Sequence, residues 1–401
     1  MTTQITATDD RQTRGFLTVI TAVGVMLVAA NLRPAMVTVA PLIDDIAAEQ
    51  HFSSAAAGLL TTLPVLFFGL SAPVAPRLAA RFGIERTIFG SLLLLVAAML
   101  LRFVPNTTAL FVGSALIGAA IGVCNVVLPA LIKRDFAHRS GLMTGLYSMT
   151  LSGGAALAAG LTVPIYDGFD GNWRLTITSW VVLAFIAIAV WVPQMSRIHL
   201  ETPAGTGRVW RDKVAWMVTV FMGAQSLIFY TFTAWLPTFL MDQGYSRADA
   251  GGLLALGQVV ALTCSLVVPI IAGRFADQRA LTFAVLVTCG VGMAGLLTTD
   301  AWTALWIILV MSGPGSSIGL ALLFMVLRSN NAAQTGQVSG MAQFLGYILA
   351  AFGPIAVGGL HDLTGSWTVA FSVLAIALAA QISSTTVAAR DVKMALRPSA
   401  P

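Results

Sequence analysis

Charged residues are scarce in this chain of 401 residues. Asp, Glu, Lys and Arg together make up only 10% of it, and apolar residues make up 57%. Soluble globular domains carry about 25% charged residues. The composition therefore excludes an ordinary soluble domain and predicts an integral membrane protein embedded in the lipid bilayer. The net charge of +5 does not indicate a nucleic-acid partner, because the basic residues lie in short loops between apolar runs.

Residues that could perform chemistry are also few. The three cysteines, Cys124, Cys264 and Cys289, lie inside apolar runs, which predicts free, packed thiols rather than a disulfide framework. No metal-ligand spacing, no nucleophile paired with a base and no phosphate-binding Gly-Lys-Ser loop is visible. We therefore expect no catalytic residue, no metal site and no cofactor, and we do not expect an enzyme.

Carboxylates are missing from deep positions in the apolar runs, and the four histidines fall in loops or at run edges. Proton-coupled carriers commonly use buried Asp, Glu or His side chains as relays. Coupling through a deep carboxylate is therefore not expected, whereas coupling through a proton of the solute itself stays open.

Long apolar runs are abundant, and twelve can be marked. Their lengths suit bilayer crossing, which takes about 20 residues. Helix is the expected structure because lipid offers no hydrogen-bond partner to a backbone polar group. The predicted fold is therefore an all-α membrane protein with twelve transmembrane helices. The runs span 16–43, 54–76, 87–104, 108–132, 141–165, 174–193, 214–240, 249–273, 280–298, 302–327, 337–360 and 367–389.

The runs divide into two similar halves of six. The longest internal polar stretch, 194–213, is predicted to be a cytoplasmic linker between an N-terminal half at 1–193 and a C-terminal half at 214–401. Residues 141–145 (Gly-Leu-Met-Thr-Gly) recur as residues 336–340 (Gly-Gln-Val-Ser-Gly), a shift of 195. A duplicated six-helix unit is typical of secondary transporters that bind their solute between the halves near the middle of the membrane.

The distribution of basic residues predicts the orientation. With both termini placed in the cytoplasm, eighteen of the 22 Lys and Arg residues fall in inside loops and tails. Only Arg102, Arg174 and Arg247 fall in outside loops, and Arg33 lies within a run. This bias is the positive-inside pattern. We therefore predict a multi-pass membrane protein with both termini cytoplasmic.

Arg33 is the charged residue with the least favourable free energy of insertion into lipid, because it lies near the middle of the first run. Holding a guanidinium at that depth in lipid costs at least about 2.5–3.5 kcal/mol. Arg33 is therefore expected to face a protein interior or a watery cavity. Our interpretation is that it binds a passing solute that is anionic or electron-rich. The alternative is a structural arginine whose donors are taken by backbone carbonyls or by a carboxylate.

Other polar and aromatic side chains within the runs are candidates to complete a solute pocket with Arg33. Gln343 and Tyr347 are four residues apart and share a helix face. The alternative for any one candidate is an ordinary interhelical hydrogen bond, worth on average about 0.6 kcal/mol. The candidates are Asn31, Asn125, Tyr147, Gln225, Tyr230, Gln343 and Tyr347.

Two basic loops are candidates for gating the cytoplasmic side. The loop after run eight contains Arg274, Asp277 and Arg279, and a carboxylate there can pair with basic groups and latch one conformational state. The corresponding loop after run two keeps Arg77 and Arg81 but lacks the acidic residue. For both loops the alternative is a plain basic turn.

Runs five and eleven are rich in glycine. Small residues let membrane helices approach each other closely, so close helix packing is expected at both runs. Helices that slide during transport and helices that pack statically are both compatible with this pattern.

Several motifs follow one another along the chain. They are Asn-Leu-Arg-Pro at 31–34, Asn-Val-Val-Leu-Pro at 125–129, Gln-Ser-Leu-Ile-Phe-Tyr at 225–230, Trp-Leu-Pro at 235–237, Ser-Gly-Met-Ala-Gln at 339–343 and Leu-His-Asp-Leu-Thr-Gly-Ser-Trp at 360–367. Together they resemble the cyanate-permease family of the major facilitator superfamily, which also includes nitroimidazole carriers. Residues 273–279 resemble the loop motif of that superfamily.

The resemblance implies a secondary active transporter of the bacterial inner membrane that works by alternating access. Its cargo would be a small anionic or electron-rich solute, such as a cyanate-like anion or a nitroaromatic. A single chain carries both halves, so a monomer suffices. A multidrug-type exporter of small lipophilic compounds is the alternative within transport, and a membrane receptor or sensor is an alternative from another class.

Overall fold

The computed structural model describes residues 19–196, 209–299 and 301–395. Within these ranges the regular secondary structure is helical. Among the described residues, eleven helices are long and apolar enough to cross a membrane, and a bent pair of helices would make a twelfth span. The predicted all-α architecture with twelve spans is therefore confirmed. The middle of the predicted linker, at 197–208, lies outside the described residues, as do Arg11, Arg14 and Arg397 in the predicted cytoplasmic tails.

The first six spans comprise ten helices. We label them α1 (19–31), α2 (Pro34–Val37), α3 (Ile43–Gln50), α4 (Ser54–Ser71), α5 (Ala75–Phe82), α6 (Ile84–Leu101), α7 (Thr107–Asp135), α8 (Ser140–Gly168), α9 (Trp173–Ser179) and α10 (Val181–Trp191). The first span, Val19–Gln50, is thus interrupted. Pro34 and Pro41 lie in the interrupted part, where each lacks the N–H that would continue the helical hydrogen bonds.

The last six spans are single, nearly unbroken helices. They are α11 (Lys213–Asp242), α12 (Arg247–Ala272), α13 (Arg279–Thr298), α14 (Thr303–Arg328), α15 (Ala332–Thr364) and α16 (Trp367–Ala388). Their ends are set by local chemistry. The carboxylate of Asp212 accepts backbone N–H groups at the start of α11, and Asn331 does the same at the start of α15. Gly365 ends α15 with φ +63°, a left-handed conformation that glycine adopts without strain.

The second predicted run is the bent pair. Helices α4 and α5 meet at an angle of 54°. Pro76 occupies the first turn of α5, where the missing N–H is tolerated. The predicted run at 54–76 therefore ends inside α5 and does not form one straight helix.

The chain folds as two compact units. The first unit comprises residues Met1–Leu128 and Thr150–Thr202, and the second unit comprises Pro129–Met149 and Pro203–Pro401. The segment Pro129–Met149, at the end of α7 and the start of α8, thus groups with the C-terminal helices. The division at 194–213 stays a prediction from the sequence.

Glycines bring helices into close contact inside each unit. A Cβ added at Gly154 of α8 would lie 2.8 Å from the carbonyl oxygen of Ala30 in α1. In the other unit, a Cβ at Gly346 of α15 would lie 3.5 Å from backbone atoms of Gly223 in α11. The close approach expected of the glycine-rich runs five and eleven is confirmed.

All three cysteines are free thiols.

Candidate functional site

Arg33 occupies the break in the first span. Residues 32 and 33 form a turn between α1 and α2, and Arg33 is the residue that precedes α2. Its carbonyl accepts the N–H groups of Met36 and Val37, each at 3.0 Å. The flanking residues Leu32 and Ala35 are buried, whereas Arg33 is half-buried. The structure therefore places the arginine at an interruption inside a membrane-spanning segment.

The two asparagine candidates of the first unit are buried and hydrogen-bonded to backbone. The amide of Asn31 donates to the carbonyl oxygens of Leu27, at 2.8 Å, and Leu183, at 3.2 Å. Asn31 thus joins α1 to α10, as expected of an interhelical hydrogen bond. The amide of Asn125 donates to the carbonyl of Ile121 one turn earlier in α7.

Two tyrosine candidates come together in the second unit. The rings of Tyr230 in α11 and Tyr347 in α15 lie edge to face, with centroids 6.3 Å apart. Such a tilted arrangement suits the quadrupoles of aromatic rings. Phe229 extends the pair, with its centroid 5.5 Å from that of Tyr230. This cluster is the clearest grouping of predicted residues.

The two glutamine candidates lie on the same two helices. Gln225 is buried and its amide donates to the hydroxyl of Ser226 at 2.6 Å. Gln343 is buried, and its amide donates to the hydroxyl of Ser339 at 2.8 Å. Tyr147 is fully buried in α8. These side chains are therefore polar groups held inside helical packing.

The predicted cytoplasmic loop of the second unit contains an ion pair. Asp277 accepts from the guanidinium of Arg279 at 2.8 Å and from the backbone N–H of the same residue at 2.9 Å. These hydrogen bonds hold the pKa of the Asp277 carboxyl below its usual range. Arg274 is exposed and makes no ion pair with any residue in the described ranges. The acid therefore pairs within its own loop.

The first-unit loop is different. Arg77 and Arg81 lie on α5 and are exposed, and the guanidinium of Arg81 lies 5.2 Å from the ring centroid of its neighbour Phe82. Neither arginine pairs with an acid in the part of the chain that the structure describes. Because Ala80 replaces the acid here, this loop does not reproduce the pair of the second unit.

The start of the second-unit loop packs against α8. A Cβ added at Gly141 would lie 2.7 Å from the carbonyl oxygen of Pro269 and 2.8 Å from the Cα of Gly273. A Cβ at Gly145 would lie 2.6 Å from the carbonyl oxygen of Leu266. Only glycine fits both positions without displacing the backbone of α12.

A buried arginine directly after the predicted apolar run 302–327 organises the C-terminal end of the second unit. Arg328 is 1% exposed. Its guanidinium donates to the carbonyls of Ala388, at 3.0 Å, and Ala389, at 3.2 Å, and also to the side-chain carbonyl of Gln278. It forms an ion pair with Asp391 at 3.6 Å. The position of Arg328 at the very end of an apolar run was the signal available in the sequence.

The chain after α16 is fastened by further hydrogen bonds. The backbone N–H of Met394 donates to the carbonyl of Arg328, and the amide of Asn330 donates to the carbonyl of Met394, each at 2.8 Å. The N–H of Ala395 donates to the carboxylate of Asp212 at 2.8 Å. Residues 389–395 are therefore an ordered strap joining the ends of several helices.

Arg102 is a second buried arginine, although the distribution of basic residues predicts it in an outside loop. Arg102 follows the last residue of α6 and is 1% exposed. It stands at the outer edge of the predicted apolar run 87–104, and this position is the sequence signal for its burial. Its Nη1 donates to the carbonyl of Ala35 at 2.8 Å.

The sequence profile of the Major Facilitator Superfamily matches residues 16–354. The 2-nitroimidazole transporter of Escherichia coli (strain K12) is 39% identical over 88% of this chain and 91% of its own length. The cyanate transport protein CynX of the same organism is 31% identical over 85% of this chain and 90% of its own.

The fold also matches a solved structure. The E. coli fucose:proton symporter FucP superposes with a TM-score of 0.71 at 15% identity, covering 94% of this chain and 99% of that one. This likeness shows the transporter fold. The profile match and the two relatives are extensive enough to assign the family, and they point to a transporter rather than an enzyme. The chain therefore belongs to the Major Facilitator Superfamily, in the family of cyanate and nitroimidazole carriers.

Proposed function

We propose that this protein is a secondary active transporter of a small anionic or electron-rich solute, such as a cyanate-like anion or a nitroaromatic. We further propose that it works by alternating access in the inner membrane, with both termini in the cytoplasm. The observation that carries the proposal is the position of Arg33. A cation at a helix break in mid-span is expensive unless it faces protein or water and meets a compensating charge.

The interruption itself supports this role. Irregular backbone at membrane depth is tolerated where it is buried in protein or lines a cavity. Carriers place substrate sites at discontinuous spans. Arg33 stands at such a discontinuity, and its guanidinium offers the planar donor fork that suits carboxylates and other oxyanions.

The aromatic pair of Tyr230 and Tyr347 supports an aromatic cargo. Tyrosine rings offer apolar faces and a hydroxyl that can donate or accept a hydrogen bond. A nitroaromatic or a hydroxylated aromatic acid could use both features. The remaining candidates, Asn31, Asn125, Tyr147, Gln225 and Gln343, are proposed from the sequence as further solute-binding residues.

The gating role is proposed for the loop with Arg274, Asp277 and Arg279. The ion pair between Asp277 and Arg279 supports a defined loop conformation, and Gly273 at the start of the loop packs against Gly141. Arg77 and Arg81 are proposed to act at the corresponding first-unit loop without an acidic partner.

Thermal-shift binding on the purified full-length protein tests the proposal. Wild type and Arg33→Ala would be titrated with cyanate, nitrite, bicarbonate, short carboxylates and 2-nitroimidazole. A ligand at a hundred times its Kd adds about 2.7 kcal/mol to the free energy of unfolding. We expect at least one of these probes to stabilise the wild type and to lose most of that effect in Arg33→Ala.

Arg86→Ala is the matched control, because Arg86 is an exposed arginine of α6 with no proposed role in binding. It should respond to ligand as the wild type does. Unchanged binding by a well-folded Arg33→Ala protein would refute the anion site. Lipophilic cationic drugs are titrated as a second set of probes. Stabilisation by these drugs irrespective of Arg33 would instead indicate a multidrug-type exporter.

A further inference from the structure

The short helix that follows Arg33 is fastened from another span. Within α2 and its flanks, the carbonyl of Pro34 accepts the backbone N–H and the hydroxyl of Thr38, at 3.0 and 2.6 Å. The next carbonyl, that of Ala35, accepts from Nη1 of Arg102 at 2.8 Å. Arg102 comes from the end of α6, 67 residues further along the chain. A side chain remote in sequence therefore holds the backbone two residues beyond Arg33.

The donor of this hydrogen bond is a guanidinium, whose burial carries a large desolvation cost. Arg102 is 1% exposed, and within the described ranges its Nε and Nη2 atoms have no hydrogen-bond partner. A guanidinium has an intrinsic pKa of about 12.5–13.8, so it keeps its charge at neutral pH. A neutral donor could hold the same carbonyl with a smaller desolvation cost. Holding one carbonyl does not by itself explain why the group is an arginine.

Helix α7 leaves room for the Arg102 side chain. A Cβ added at Gly113 would lie 2.6 Å from the Cγ of Arg102 and 2.8 Å from the carbonyl oxygen of Ala98. Such distances are too short for a real side chain. Gly113 therefore fixes where the stem of Arg102 runs, and any larger residue there must displace the stem or the backbone of α6.

We propose that Arg102 is a positioning residue for solute binding, which fixes α2 through the Ala35 carbonyl and thereby holds Arg33 in place. Arg33 is the residue from which α2 begins, and its own carbonyl bonds to that helix. The buried charge of Arg102 also raises the local positive potential, which favours an anion near Arg33. The inference rests on the proposed function, because it concerns the same solute site.

The test compares three variants of the full-length protein with cyanate and 2-nitroimidazole as probes. Arg102→Met removes charge and donors, Arg102→Lys keeps a charged donor, and Gly113→Ala keeps the arginine but displaces its stem. The dissociation constant of each probe and the ligand-free Tm are measured separately. We expect Arg102→Met and Gly113→Ala to raise the dissociation constant roughly tenfold, and Arg102→Lys to restore part of the loss.

A double-mutant cycle separates positioning from a general loss of stability. If Arg102 acts through Arg33, the effects of Arg102→Met and Arg33→Lys on the dissociation constant are not additive. A role in stability alone would lower Tm and leave the dissociation constants unchanged or their changes additive, and either result overturns the inference. If Arg102→Met does not fold, the cycle is run with Gly113→Ala.

The outcomes also separate this inference from the proposed function. Binding that survives Arg33→Ala would remove the proposed function and the positioning role together. Binding that needs Arg33 but tolerates Gly113→Ala and Arg102→Met would overturn the positioning role alone. Gly90→Ala is the matched glycine control, because nothing lies within 4 Å of a Cβ added there.

Discussion

The indole N–H of Trp367, at the start of α16, donates a hydrogen bond of 2.9 Å to the carboxylate of Asp242, at the end of α11. The first unit contains the same pairing. There, the indole of Trp173 donates to the carboxylate of Glu49 at 2.5 Å. The repeat seen in the sequence thus extends to individual hydrogen bonds, which in each unit join the end of the first span to the start of the sixth.

Removing one indole N–H should destabilise the protein without removing the ring. Trp367 packs against Phe239, Phe371 and the stacked ring of His361, so Trp367→Phe keeps most aromatic contacts and loses the bond to Asp242. A hydrogen bond to a charged group is worth about 1.5–3 kcal/mol. We expect a lower Tm in detergent. Trp302→Phe is the control, because Trp302 is 76% exposed. An equal Tm for both variants would contradict the prediction.

Adding one methyl group at Gly141 should disturb the packing of α8 on α12. The new Cβ would meet the backbone at Pro269 and Gly273, and overpacking of this kind typically costs about 1–3 kcal/mol. Gly141→Ala should therefore lower both Tm and the transport rate. Gly160→Ala, in the same helix with open space at its Cβ, should behave as wild type. Full transport by Gly141→Ala would show that this close approach is dispensable.

Replacing Arg328 by lysine should loosen the strap at 389–395. Lysine cannot reproduce the guanidinium contacts with Ala388, Ala389 and Gln278, and each lost charged hydrogen bond costs about 1.5–3 kcal/mol. We expect a lower Tm and faster proteolysis of the C-terminal tail in Arg328→Lys. Arg390→Lys alters an exposed neighbour and serves as the control. A tail as resistant as in wild type would argue against this role of Arg328.

The Asp277–Arg279 pair should make a small, pH-dependent contribution to stability. Because the pKa of Asp277 is lowered in the folded protein, its contribution is present above the unfolded pKa of about 3.9 and is lost as the pH falls through the lower, folded value. The pair is exposed to solvent, so its contribution is small and weakens with added salt. The Tm of Asp277→Asn should lie slightly below that of wild type at pH 7 in low salt, and the difference should disappear in acid once the pH falls below the folded pKa of Asp277. A difference that persists in acid would contradict the ion-pair origin.

The amino-acid sequence alone determined the spans. The starts and ends of the predicted runs agree with the helices within a few residues from α6 onward, because a long apolar stretch in lipid must satisfy its backbone hydrogen bonds within a helix. It also determined the duplicated six-span plan and the close approach at glycines such as Gly154. It also predicted Arg33 as a functional residue, because a cation in the middle of a long apolar run can be recognised from the order of the residues.

Only the tertiary structure decided how the residues at span ends are used. Arg102 and Arg328 read as loop cations because each stands at the edge of an apolar run, yet both are buried. Their burial depends on which backbone carbonyls accept their hydrogen bonds. The acceptor is the carbonyl of Ala35 for Arg102, and the carbonyls of Ala388 and Ala389 for Arg328. The grouping of Pro129–Met149 with the C-terminal helices likewise follows from contacts remote in sequence. A local pattern reports the preference of a segment for lipid, whereas the partner of a buried charge is set by chain segments that meet only in the folded protein.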